Sequence, residues 1–231
     1  MKIIWLGHSG FRIETGDLVL LFDPWLTGNP MFPEARQAEA IAGATHIFIT
    51  HGHSDHAADA PEIARALGIP VHGIYDLMSF WGEKHGIETV GFNKGGTVDL
   101  GAARITMVNA AHSSSAGEGA EGPVYAGHEA GYVIEAEGHS IYLTGDTDVM
   151  ADMEIINDLH SPDIGILCAG GFFTMDMKRA AYAAKKFFDF KTVIPCHYRT
   201  FPLLEQSAEE LKAGLPDVDV IEPEVLEAIE I

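Results

Sequence analysis

Cysteine is nearly absent from this chain: two residues, Cys168 and Cys196, among 231. That excludes a disulfide framework and a cysteine-rich zinc site, and makes a reducing, cytoplasmic setting the expected one. Positive charge is also scarce, with 14 Lys and Arg against 34 Asp and Glu and a formal charge of −20. Such a surface repels polyanions, so neither nucleic acid nor an anionic membrane is an expected partner. Long apolar runs are missing too. The opening Met1-Lys2-Ile3-Ile4-Trp5-Leu6-Gly7-His8 is too short for a signal peptide, and no stretch approaches the roughly 20 apolar residues of a membrane span. No repeat or low-complexity linker divides the chain, so one domain over residues 1–231 is expected.

Local patterning alternates short β-rich runs with amphipathic stretches. Strands are expected over residues 2–6, 11–14, 18–22, 47–50, 97–100, 104–109, 131–135, 140–144, 164–168, 193–195 and 218–221, with a turn at Thr15-Gly16-Asp17. Helices are expected over 55–67, 76–85, 150–159, 176–188 and 204–213. Clustered strands with interspersed helices indicate a layered α/β architecture. Residues 113–127, with four glycines, three serines and a proline, have no periodicity and read as a hairpin excursion or a lid beside His112.

What the chain has in abundance is histidine, 12 residues in all. Three imidazoles and a carboxylate fall within Thr50-His51-Gly52-His53-Ser54-Asp55-His56. At the end of a strand, residues i and i+2 project the same way, so His51 and His53 can grip one ion, while Asp55 and His56 reach a second. Three further apolar strands run into a potential ligand, namely His112, Asp146 and His197. One ion would take His51, His53 and His112. The other would take Asp55, His56 and His197, with Asp146 bridging. The donor set suits two divalent ions, zinc foremost, with manganese, iron or nickel as alternatives. Two such ions bring a bridging water from a pKa of 15.7 to roughly neutral, which makes hydrolysis by the resulting hydroxide the natural reaction. Asp55 is the catalytic candidate, binding metal and orienting that hydroxide.

The order His51-x-His53-x-Asp55-His56, His112, Asp146, His197 resembles the metallo-β-lactamase superfamily. Gly7-His8-Ser9-Gly10-Phe11, Phe22-Asp23-Pro24-Trp25, Gly28-Asn29-Pro30, Gly145-Asp146-Thr147, Phe173-Thr174-Met175 and the run from Ile194 to Pro202 resemble a branch of metal-dependent hydrolases related to ascorbate-6-phosphate lactonases. The resemblance implies a four-layer αββα sandwich with a dinuclear site on one edge. It implies no single substrate, since that fold serves many bonds. A small ester, lactone or phosphodiester, neutral or anionic, is the expected substrate class. The alternatives are a non-hydrolytic metal-binding or redox-sensing protein on the same scaffold, and a ribonuclease, which would need a basic exosite. A homo-oligomer is compatible with all of them.

Several residues around this set have two readings. His8 either lines the site or is a satisfied structural histidine, and Asp23 is placed to support a ligating imidazole from behind. Ser113 is a substrate or backbone contact, His128 a candidate general acid or an exposed loop residue, and Tyr198 and Arg199 candidate binders of a substrate carboxylate or phosphate.

Overall fold

A computed structural model of the chain describes residues 1–117 and 123–231. The first sheet begins with β1 (Lys2–Trp5), β2 (Phe11–Thr15) and β3 (Leu18–Phe22), an antiparallel meander. In β2 the side chains alternate, Phe11, Ile13 and Thr15 inward and Arg12 and Glu14 outward, as the period-two pattern requires. After a short helix α1 (Gln37–Ile41), three strands add in parallel: β4 (His46–Phe48), β5 (Val71–Ile74) and β6 (Thr89–Phe92). Between them lie α2 (Ser54–Ala57), α3 (Ala60–Leu67) and α4 (Tyr75–His85).

The second sheet repeats this plan. β7 (Thr97–Asp99) and β8 (Ala103–Asn109) form an antiparallel edge, followed by the small hairpin β9 (Ser115–Ala116) and β10 (Val124–Tyr125). Then come β11 (Ala130–Ala136) and β12 (His139–Leu143), antiparallel to each other. α5 (Asp152–His160) leads to β13 (Ile164–Cys168), α6 (Met177–Phe187) to β14 (Thr192–Cys196), and α7 (Glu209–Gly214) to β15 (Asp219–Val220), with β13, β14 and β15 parallel to β12. The last strand, β16 (Ala228–Glu230), returns to pair with β1. The two seven-stranded orders are β16-β1-β2-β3-β4-β5-β6 and β15-β14-β13-β12-β11-β8-β7.

The sheets face each other through one continuous apolar cluster. Phe22 stacks on Phe48 at 5.2 Å, and the Tyr132 hydroxyl donates across the sandwich to the Ile49 carbonyl at 2.6 Å. α3 and α4 pack on β5 and α6 on β13, which completes the αββα layering. A strand covered on both faces can be apolar throughout, as β13 is, where all five residues are buried.

Two expectations change. The helix over 55–67 is broken into α2 and α3, because Pro61 in the first turn of α3 has no N–H to continue the ladder. The helix over 204–213 begins only at Glu209. Upstream of it the backbone is taken by tertiary partners: the Glu205 amide donates to the Gly170 carbonyl, and the Glu205 carbonyl accepts from the Arg199 amide. The hairpin excursion is present as β9 and β10, while residues 118–122, the centre of the expected lid, lie outside the described residues.

Strand direction positions the chemistry. β1, β3, β4 and β5 run the same way in one sheet, as do β8, β12, β13 and β14 in the other. Their C-terminal ends open into the loops that carry His8, Asp23, His51, His112, Asp146 and His197.

Candidate metal centre

β4 ends at Phe48, and the chain passes through Thr50 into His51, His53, Asp55 and His56 at the start of α2. Nε2 of His51 and Nδ1 of His53 face each other at 2.9 Å. With His112 they form one trio whose donor atoms lie within 4.8 Å of one another, and a second group of the same compactness joins His8, Asp55, His56 and His197. Asp146 lies between the two. Its Oδ2 is 3.0 Å from Nε2 of His197, 3.3 Å from that of His56 and 3.6 Å from that of His112. All seven residues expected as ligands are thus brought together.

Behind them Asp23 is fully buried, with its left-handed backbone (φ +43°) turning the carboxylate inward. It accepts from the Thr50 amide at 2.8 Å and the Thr50 hydroxyl at 2.6 Å, and it meets His56 Nδ1 at 2.8 Å. Since the Thr50 hydroxyl donates to Asp23, its oxygen accepts from His51 Nδ1, 3.0 Å away. One carboxylate therefore fixes the outer nitrogens of two imidazoles and leaves both Nε2 atoms facing the centre. With its oxygens so engaged, Asp23 supports the site rather than joining the donors that face Asp146.

The electrostatics ask for a cation. Burial works to raise the Asp146 carboxyl, but His197 and His56 beside it hold it well below the usual carboxylate range. Burial works to deprotonate His56, yet Asp146 and Asp23 hold it well above the ordinary imidazole range. Two buried carboxylates thus draw one positive charge between them, where a divalent ion would supply it. Buried His56 Nε2 and Asp146 Oδ1 have no hydrogen-bond partner among the described residues. The donors present fit a metal.

His8 is buried in a left-handed turn (φ +53°). Its carbonyl accepts from the Trp5 indole at 2.9 Å and from the His197 amide at 2.8 Å, so the turn is locked to the left-handed His197 (φ +56°). Burial, helped by the nearby His197, pulls its imidazole down to about 4. The neutral ring donates from Nε2 to Asp55 at 3.1 Å and accepts at Nδ1 from the Thr200 hydroxyl at 2.9 Å. Both ring nitrogens are thus engaged, by Asp55 and by Thr200.

The other candidates lie apart. Ser113 and His128 are exposed, and neither shares a hydrogen bond with the cluster among the described residues; His128 rests on Tyr125. Tyr198 and Arg199 were expected as substrate binders, but the positive φ of His197 turns the chain into the core behind it. Tyr198 stacks on Trp5 at 5.8 Å, and Arg199 lies over the Tyr198 ring and 3.5 Å from Glu224. Sequence reasoning missed Thr200, and also Glu129, whose Oε1 accepts from the His112 amide at 3.0 Å. Glu129, an acid directly before the apolar run of β11, carried a signal. Thr200 carried none.

Two sheets packed face to face, with a nest of imidazoles and carboxylates at one edge, define a metallohydrolase of the β-lactamase type. The chain matches the beta-lactamase superfamily domain over residues 2–197; it belongs to that superfamily and is a metal-dependent hydrolase. It is 69% identical over 229 residues, 99% of either chain, to a UPF0173 metal-dependent hydrolase of Paracoccus denitrificans. It is 66% identical over 231 residues, the whole of both chains, to one of Dinoroseobacter shibae. Among solved structures it is similar to Igni18, a metallo hydrolase of the archaeon Ignicoccus hospitalis, with TM-score 0.86 and 30% identity over 99% of this chain and 97% of that one. An isothiocyanate hydrolase from Delia radicum gut bacteria shares the fold at TM-score 0.77 and 16% identity, covering 100% of this chain and 99% of that one.

Proposed function

We propose that the chain is a dinuclear hydrolase of small esters, lactones or phosphodiesters, with His51, His53 and His112 holding one divalent ion and Asp55, His56 and His197 the other. The observation that carries this reading is Asp146, whose single oxygen Oδ2 lies within 3.6 Å of imidazole nitrogens from both groups, the position of a bridging carboxylate. Zinc suits the donors best, with manganese, iron and nickel as the other fitting ions. Two bound cations supply Lewis acidity, which activates water and polarises the oxygen under attack. The chain's own residues do the rest. Asp23 presents two imidazoles in their metal-binding tautomers through its contacts with Thr50 and His56. His8 holds Asp55 in place, so that Asp55 can accept a hydrogen bond from the attacking water and orient it. Two dications would offset the carboxylates of Asp23, Asp55 and Asp146 locally, against the −20 of the chain, which favours a small anionic substrate over a long polyanion.

Elemental analysis of purified chain, joined to a screen against ester, lactone, thioester and phosphodiester substrates, tests the reading. Two equivalents of metal and turnover of at least one bond type are expected. One equivalent in active protein would refute the dinuclear reading.

A further inference from the structure

Two cavities flank the centre, and their walls differ in charge. One, of about 630 Å³, is lined by Asp148, Asp176 and Glu205 with Arg179 as its cation. That guanidinium is committed to Asp148 at 2.6 and 2.8 Å, so the wall is acidic on balance. The other, of about 440 Å³, opens from the candidate ligands themselves. His53 and Asp55 stand in its wall, Phe80 and Trp81 form an apolar side, and Lys84 and His85 line it as well. Asp55 is its one acid among the described residues. The Lys84 ammonium lies 5.1 Å from the centre of the Phe80 ring, held over the aromatic wall by its quadrupole. In a chain with 14 basic residues against 34 acidic ones, an ammonium on the cavity that reaches the metal ligands creates local anion affinity where the rest of the surface repels.

We infer that this second cavity seats the non-reacting arm of the substrate: a short apolar chain ending in a carboxylate, which pairs with Lys84 while the scissile bond lies at His53 and Asp55. The substrate class is then a monoester, or an equivalent acyl derivative, of a dicarboxylic acid. This assignment rests on the hydrolase reading of the same site. The volume is in the range of small-molecule pockets, which run from about 300 to 1,000 Å³.

The test uses metal-loaded full-length protein and 4-nitrophenyl monoesters of dicarboxylic acids from succinate to suberate, each against the uncharged acyl ester of equal length. For the best-fitting length kcat/KM should favour the charged ester by about three- to tenfold, the span from an exposed to a charge-assisted ion pair. Lys84→Met should bring that ratio close to one and Lys84→Glu below it, while Arg179→Met, in the other cavity, should leave it at the wild-type value. A ratio of one in the wild type, its survival in Lys84→Met or its loss in Arg179→Met would overturn the assignment. Calorimetric binding of the free dicarboxylates against monocarboxylates of equal length separates the two readings. Tighter dicarboxylate binding that depends on Lys84, without turnover of any ester, would remove the hydrolase reading and keep the cavity assignment. Turnover of uncharged esters with no effect at Lys84 in either assay would do the reverse.

Discussion

The two halves of the molecule share one plan and use it differently. In each, an antiparallel set (β16, β1, β2, β3 or β7, β8, β11, β12) leads into three parallel strands. His8 after β1 therefore corresponds to His112 after β8, and Asp23 after β3 to Asp146 after β12. Yet Asp146 faces imidazole nitrogens with Oδ2, whereas Asp23 is sealed behind Thr50 and His56. The difference lies one strand further on. After β4 the first half places the donor-rich run from His51 to His56 in front of its carboxylate. After β13 the second half has Ala169 and Gly170, and its carboxylate stays open to the centre. Equivalent positions in a repeated fold thus become donor or support according to what the neighbouring loop puts before them.

The sharpest way to break this contrast is to remove the two aspartates separately. Asp146→Ala should lower metal content by elemental analysis and cut turnover by more than about 100-fold, beyond what removing an outer partner costs. Asp23→Ala should instead weaken metal affinity by about 10- to 100-fold. It should also destabilise the fold by about 3–5 kcal/mol, because His56 loses a buried partner; a metal titration and a urea melt read the two effects. Equal metal loss with unchanged stability in both variants would erase the distinction.

Gly170 tests the second half's bare loop. A Cβ there would run into the carbonyl oxygen of His197, so Gly170→Ala should cost about 2–4 kcal/mol in chemical denaturation and loosen the His197 turn. A neutral result would show that the turn tolerates side chains as the first half does.

The smallest effect concerns His72 on β5, whose counterpart β14 is apolar where it is buried. His72 is 3% exposed, packs flat on Phe48 at 4.4 Å, and burial brings its pKa down to about 3. The unfolded chain takes up this proton near pH 6.5 and the folded chain does not, so stability falls as pH drops below about 6.5. At pH 5 the loss is at most about 2 kcal/mol. His72→Phe should flatten this slope by that amount when urea midpoints are compared at pH 7.5 and pH 5; parallel slopes for the two proteins would exclude His72 as its source.

Much of the site could be read in the chain because its donors follow strands directly: the periodicity that marks residues 47–50 or 140–144 also points at His51 and Asp146. Elements without that periodicity were missed. β5 is interrupted by His72 and Gly73, β6 by Gly91, and β16 is three residues long. The direction of Tyr198 was illegible because it depends on the left-handed turn at His197, which depends in turn on Gly170 and the His8 carbonyl, both far away in sequence. Thr200 reaches His8 across 192 positions, a distance no local pattern spans.

Asp23 also bears on how the centre would fill. Through Thr50 it sets His51, and directly it sets His56, one imidazole from each proposed ion site. An ion captured by either imidazole rigidifies the carboxylate on which the other depends, and linkage makes that benefit mutual. Loading should therefore follow a sigmoidal isotherm, with half-filled molecules rare at intermediate metal concentrations.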